Sequence, residues 1–357
     1  HEKSYFGGAQ LNYSFGQNTS LDIRGGILQT KAPFILSEET RQSAQYYDIL
    51  TGYTWGSGDY NVRNTLKRFN SQAVIRHFYG SRHFDGLIKF GIDYEFSSSE
   101  NDYWKENNLT MIYSGGSPYL YGMSLSPSSG TTVGKGLIAF SSVALEEGGF
   151  DVKNEVRRLG GFVENSLSLG NRLTLNLGMR FERSIGRFPA YAKTESGNPV
   201  SVNFGESEIA PLVNADPFGT IFVPEWQNIM TWNTFSPQAS VVFDLFGNSK
   251  TVLKASWAKY ADNLSLSYLR AMNGLSPDIR YNFYWYDENM DGLVDESDTL
   301  NFTAQDLRAI SENYYFKRAA SDIKPPRTTE YTVSLESEIL SAFSIGLRYI
   351  NSQDNDL

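Results

Sequence analysis

The chain has 357 residues, a formal charge of −9, no cysteine, and an aromatic load of 22 Tyr, 23 Phe and 6 Trp. The missing thiols exclude disulfides and thiolate metal sites, and the acidic balance argues against a nucleic-acid partner, which needs a basic footprint. No run of about 18 apolar residues is present, so no transmembrane helix is encoded, but a membrane strand needs only about 9–11 alternating residues.

The opening stretch HEKSYFGG has no Met, no basic leader and no apolar leader, which points to a processed or internal segment. Alternation then begins. Ala9, Leu11, Tyr13 and Phe15 share one face; after the turn GQNT come Leu21, Ile23 and Ile27, with Asp22 and Arg24 opposite. A mixed strand near 71–79 meets the turn GSRH. Beyond it Ile88, Phe90, Ile92, Tyr94 and Phe96 alternate with Lys89, Gly91, Asp93 and Glu95. The stretch GGFVENSLS turns at 169–171 into NRLTLNLGMRFE, where Leu173, Leu175, Leu177, Met179 and Phe181 form one face. Ala239, Val241, Phe243 and Leu245 turn at FGNS into Leu253, Ala255 and Trp257. Tyr331, Val333 and Leu335 turn near Leu340 into Phe343, Ile345, Leu347 and Tyr349.

Within each pair the turn is short, as hairpins require. Between pairs the connections are long, at 29–70, 97–153, 183–235 and 262–327. This short–long order counts against a soluble sandwich and suits an outer-membrane barrel, with short periplasmic turns and long extracellular loops. The strands rising from short turns end in aromatics, Tyr94, Phe96, Phe181, Trp257 and Tyr349, as an interfacial girdle would. The opposite faces carry Lys89, Asp93, Glu95, Asn176, Arg180, Glu182, Lys254, Glu336 and Arg348, suited to a wet or plugged lumen. The expected fold is all-β: an antiparallel transmembrane β-barrel segment of about ten strands in five hairpins over 1–357. Both ends lie on the long-loop side, the wrong phase for a closed ten-strand barrel, so the segment is expected to be a slice of a larger one.

Three stretches carry a family resemblance. GGFVENSLSLGNRLTLNLGMRFE, FSPQASVVFDLFGNSKTVLKASWAKYAD and IKPPRTTEYTVSLESEI resemble barrel segments of TonB-dependent outer-membrane receptors, the Oar-like group in particular, with Gln238 where Arg is common. The resemblance covers roughly 150–350. It implies a Gram-negative outer membrane, a plug domain, a box contacting TonB, and uptake driven by the proton-motive force. The plug and box are not in this segment.

One motif is chemical. In DENMDGLVDESD, residues 287–298, Asp287, Asn289 and Asp291 stand at the first, third and fifth positions of an EF-hand-like loop, followed by Gly292. Leu293 would offer its carbonyl, Val294 would pack inward, Asp295 would act at the ninth position, and Asp298 closes the loop where the EF-hand has Glu. The expected ion is Ca²⁺, in a structural role, within the long extracellular loop 262–327. Before it, Tyr281, Phe283, Tyr284, Trp285 and Tyr286 form either a ligand platform or a core for the loop. Tyr103, Trp104, Trp226 and Trp232 carry the same ambiguity. TAQDLRAIS reads as a short helix capped by Thr303, with Asp306 in its first turn. SPYLYGMSLSPSSGTTVGKG reads as a Ser/Gly/Pro-rich loop without chemical signature.

Enzymatic readings find little support. There is no phosphate loop and no Gly-x-Ser-x-Gly elbow; His77 and His83 flank a short turn; Glu146 and Glu147 have no fixed geometry. The sequence thus predicts a TonB-dependent receptor barrel that takes up a small or polymeric ligand, with outer-membrane lipid and TonB as partners. The alternative is a non-transporting surface barrel, an adhesin or assembly platform, that binds a protein or polysaccharide. A third reading, a secreted soluble β protein, would stay monodisperse without detergent.

Overall fold

The computed structural model describes residues 2–58, 60–106, 109–141, 151–194, 202–204, 207–209, 220–223, 225–273, 279–292, 297–300, 307–312 and 323–355. Ten strands form one antiparallel sheet in chain order. They are β1 (Lys3–Phe15), β2 (Thr19–Phe34), β3 (Asn61–Ser81), β4 (Phe84–Trp104) and β5 (Asp151–Leu169), then β6 (Leu173–Phe188), β7 (Trp226–Asp244), β8 (Thr251–Ala261), β9 (Arg327–Leu340) and β10 (Phe343–Asn355). The five hairpins are those read from the alternation.

The register keeps apolar side chains in rows. Leu175 pairs with Leu167 and Val241, Leu177 with Asn165 and Ala239, and Phe181 with Gly161 and Phe235. A one-residue slip would send every one of these to the opposite face. Among the described residues nothing covers this face: Leu177 is 57 % exposed, Phe181 55 % and Leu347 on β10 69 %. A water-soluble sheet rarely leaves so broad an apolar surface bare, whereas lipid covers it in a membrane barrel.

The strands run beyond the apolar band, so the long connections shorten to 35–60, 105–150, 189–225 and 262–326. The reason is chemical. Around Asn64 and Thr65 on β3, and from Ser97 to Asn101 on β4, both faces are polar, so hydropathic alternation vanishes while the hydrogen-bonded ladder continues.

The connections are not structureless. A second sheet, nine-stranded, is assembled from three of them. The first gives Gln45–Asp48 and Thr54–Gly56; the second gives Leu109–Ser114, Ser117–Pro118, Leu120–Leu125 and Thr132–Ser141; the last gives Ile279–Asp287, Thr299–Leu300 and Leu307–Glu312. Leu109, Met111, Ile138, Phe283 and Trp285 make its core. Trp285 pairs with Gly136, and its indole lies where a Cβ on that glycine would be. Two sequence expectations are corrected here. The described part of TAQDLRAIS, Leu307–Glu312, is a strand, because pairing with residues 279–283 overrides local helix preference; Thr303 and Asp306 lie outside the described residues. The Ser/Gly/Pro-rich stretch contributes two strands and the start of a third to the same sheet. The third connection holds two small sheets of its own, Tyr191–Thr194 with Thr220–Val223 and Val202–Phe204 with Ser207–Ile209. The described loop residues also include two short helices, α1 (Glu38–Gln42) and α2 (Leu266–Met272). Ser37 caps α1, its hydroxyl accepting from the Thr40 amide at 3.3 Å.

Candidate functional site

The polar face of the large sheet carries a connected set of ion pairs at mid-height. Asp93 on β4, Gly160 on β5 and Glu182 on β6 share one cross-strand row. Gly160 has no side chain, so the Arg180 guanidinium crosses above it and donates two 2.8 Å bonds to Asp93. Arg180 also donates to Glu182 at 2.9 Å. In the next row Glu95 accepts from Arg68 at 2.6 Å and Arg158 at 2.9 Å. Glu182 is buried, and an isolated carboxylate there would be costly; two arginines nearby offset that cost. Arg68, Asp93, Glu95, Arg158 and Arg180, with Arg24, line a recess of about 460 Å³. Nearer the short turns the same face carries Lys89–Glu164 at 3.3 Å and Lys254–Glu336 at 2.7 Å. The charged residues expected in a lumen therefore do share a face. Arg68, Arg158 and Gly160 were not singled out from sequence; the signal was their alternation with outward Phe69 on β3 and outward Leu159 on β5.

Above the ion pairs the inner face turns apolar. Val156, Phe188, Met230, Trp232 and Leu264 pack around Leu269 of α2, which is fully buried. Leu269 fits there because Gly186 leaves its place empty. Trp232 donates its indole N–H to the Ile323 carbonyl at 3.2 Å, and Asn273 donates to Asn154 at 2.9 Å. The last long connection thus folds inward onto the inner face of β5, β6 and β7. Of the ambiguous aromatics, Trp232 and Trp104 are core residues and Trp226 is exposed.

The loop sheet is tied together by buried carboxyl groups. Asp48 is almost fully buried and accepts backbone N–H bonds from Leu50 at 2.9 Å, Thr51 at 3.1 Å and Gly116 at 2.7 Å. Burial alone would raise its pKa, but the backbone donors outweigh it and hold the group down at about 2. One side chain thereby joins the first long connection to the second.

The residues of the expected ion loop fall partly within the described set. Asp287 is 3 % exposed, and its carboxylate accepts from the amides of Asp291 at 3.1 Å and Gly292 at 2.9 Å. Asn289 accepts from the Asp291 amide at 3.0 Å, and buried Asp298 accepts from the Glu288 amide at 3.0 Å. Gly292 has φ of 77°, the conformation its position requires. Leu293 and Asp295 lie outside the described residues. Among the described residues no group of three or more His, Asp or Glu converges as a metal site. Glu288 points away from the loop, its carboxylate taking hydroxyl bonds from Ser126, Ser128 and Ser129, the last two at 2.8 Å.

The aromatic run beside the ion loop alternates within the strand Ile279–Asp287. Phe283, Trp285 and Tyr286 are buried in the loop sheet; Tyr284 is partly exposed, with the Lys135 ammonium 3.8 Å from its ring centre. The side chain of Tyr281 lies outside the described set.

A family model described as an outer membrane beta barrel domain matches residues 4–357. No curated protein matches the chain. Among solved structures, the outer membrane transporter YddB from Escherichia coli aligns at a TM-score of 0.50 with 12 % identity, covering 95 % of this chain and 32 % of its own. The siderophore receptor PiuA from Acinetobacter baumannii aligns at 0.45 with 10 % identity, over 98 % of this chain and 47 % of its own. The ferric-catecholate import receptor Fiu from E. coli K12, open form, aligns at 0.44 with 10 % identity, over 99 % and 46 %. The chain therefore spans less than half the length of these solved structures.

Proposed function

From the premise that this chain belongs to the outer membrane beta barrel domain family, and so resides in the outer membrane of a Gram-negative bacterium, we propose that it is the wall of a TonB-dependent receptor of the Oar-like group. In this reading the barrel captures a ligand at its long loops and passes it along the polar inner face. The observation that carries it is the contrast between the two faces of one sheet. The outer face is apolar and bare, while the inner face is lined by matched charges around a recess of about 460 Å³. A path for polar cargo needs hydrogen-bonding groups that do not trap it, and carboxylates already paired with arginines meet that need.

The loop at 287–298 is read as a Ca²⁺ site that orders the last long connection. The donor set fits the ion: short oxygen side chains stand at its first, third, fifth and last positions, and Asp287 and Asp298 are held inside the loop. When bound, the ion would supply charge neutralisation for these carboxylates. Asp287, Asn289, Asp291 and Asp298 would hold it, with Leu293 and Asp295 completing the set.

A second reading draws on the loop sheet. Three connections build a layer with its own core, as a surface platform for a protein or polysaccharide would require. One experiment separates the two. The intact protein in detergent is tested against the purified periplasmic domain of TonB. Saturable capture supports the receptor; no capture, with the protein folded, overturns it and leaves the surface platform.

A further inference from the structure

The outer face carries a second pattern that the apolar band does not explain. Following each strand from its short turn toward the loops, outward side chains change from apolar to polar. At that level β2 presents Lys31 beyond Ile27, β3 presents Lys67 next to Phe69, and β5 presents Arg157 next to Leu159. On β6 Arg183 follows Phe181, and on β8 Lys259 follows Trp257. The intervening β4 and β7 place uncharged Ser98 and Asn233 beside Lys67 and Arg183.

Carboxylates share these rows, Glu100 that of Lys31 and Glu155 that of Lys67, and they are paired. Glu100 meets Lys153 at 2.8 Å, while Glu155 and Glu225 meet Arg187 at 2.5 and 2.7 Å. Among the described residues, Lys31, Lys67, Arg157, Arg183 and Lys259 form no ion pair. The inner face is the opposite case, where Arg68, Arg158 and Arg180 each have a carboxylate.

Arg157 pairs across the ladder with Ile185, two residues from Arg183, so the two guanidinium groups are diagonal neighbours of like charge. Such an arrangement is unfavourable unless an anion sits between them. Guanidinium forks suit phosphate oxygens, and the level just above a lipid-covered band is where headgroups lie.

We propose that this basic belt, centred on Lys67, Arg157 and Arg183, binds the phosphate groups of anionic lipid headgroups in the outward-facing leaflet. The belt then fixes the height of the barrel in the membrane and holds a shell of lipid around the loop side.

The test uses the intact protein in nanodiscs of phosphatidylcholine doped with either lipid A or its dephosphorylated form. Native mass spectrometry counts retained lipid, and thermal unfolding gives the midpoint. Lipid A should be retained and should raise the midpoint; the dephosphorylated form should do neither. Combining Lys67→Gln, Arg157→Gln and Arg183→Gln should weaken retention by about tenfold or more. Lys250→Gln, at a short turn, should leave it unchanged. Equal retention of the two lipids by the wild type would overturn the proposal, as would full retention by the triple variant. The wild-type comparison decides alone if that variant does not fold.

Discussion

Arg180 on β6 grips Asp93 on β4 with two 2.8 Å bonds across an intervening strand, and it does so over the bare backbone of Gly160. Two side chains that are not on neighbouring strands thus form a two-bond junction on the inner face. Its strength depends on a residue that contributes no atoms to it.

Arg180→Ala should leave Asp93 and buried Glu182 short of a cation and destabilise the barrel by about 1–3 kcal/mol. Asp93→Ala should cost less. The double variant should cost less than the sum, because the pair is coupled. Thermal or denaturant unfolding in detergent, run as a double-mutant cycle, measures this; additive losses would refute the coupling.

Gly160→Val should act like a loss of Arg180. A side chain there meets the Arg180 guanidinium and the Asp93 carboxylate. A penalty of about 1–3 kcal/mol is expected, and it should shrink sharply when Arg180→Ala is already present. An unchanged penalty in that background would mean that the glycine matters for another reason.

Nitroxide labels at Leu175 and Leu177 should be relaxed by oxygen and shielded from water-soluble nickel reagents. A label at Asn176, whose amide bonds Ser240 at 3.0 Å on the other face, should show the reverse. Matching accessibilities at 176 and 177 would contradict a lipid-facing surface.

Asp48 has its pKa lowered to about 2 from 3.8, so its carboxylate contributes stability that is fully present above 3.8 and lost as pH falls through about 2. The junction between the first two loops should therefore be insensitive to pH from neutrality down to that window. Asp48→Asn should speed amide exchange at Leu50, Thr51 and Gly116 by about tenfold at neutral pH. Exchange confined to global unfolding in both proteins would argue against this anchor.

Calcium titrated into the intact protein should give a saturable heat that Asp291→Ala removes. Wild type and variant behaving alike, with no heat in either, would end the calcium reading of residues 287–298.

The hairpins were legible because lipid imposes a simple rule. Every second residue from Leu173 to Phe181 must be apolar, and the turns between paired strands are too short to hide anything else. The charged residues of the inner face could be named from the same parity, but not their partners. Nothing local in the sequence says that Arg180 reaches past Glu182 to a residue 87 positions away. The helix read into TAQDLRAIS failed for a related reason: its described part is held by pairing with a strand near residue 280. The aromatic run before the ion loop was open between platform and core on sequence, and burial places Phe283, Trp285 and Tyr286 inside.

The sequence by itself determined the ten strands, their alternation and the identity of the apolar face, because those follow from a period of two and the chemistry of lipid. The joining of three loops into one sheet, the folding of α2 onto the inner face and the arginine bridge above Gly160 were decided only by the tertiary structure. These depend on contacts between residues far apart in the chain, where periodicity carries no information and only register and packing choose the partner.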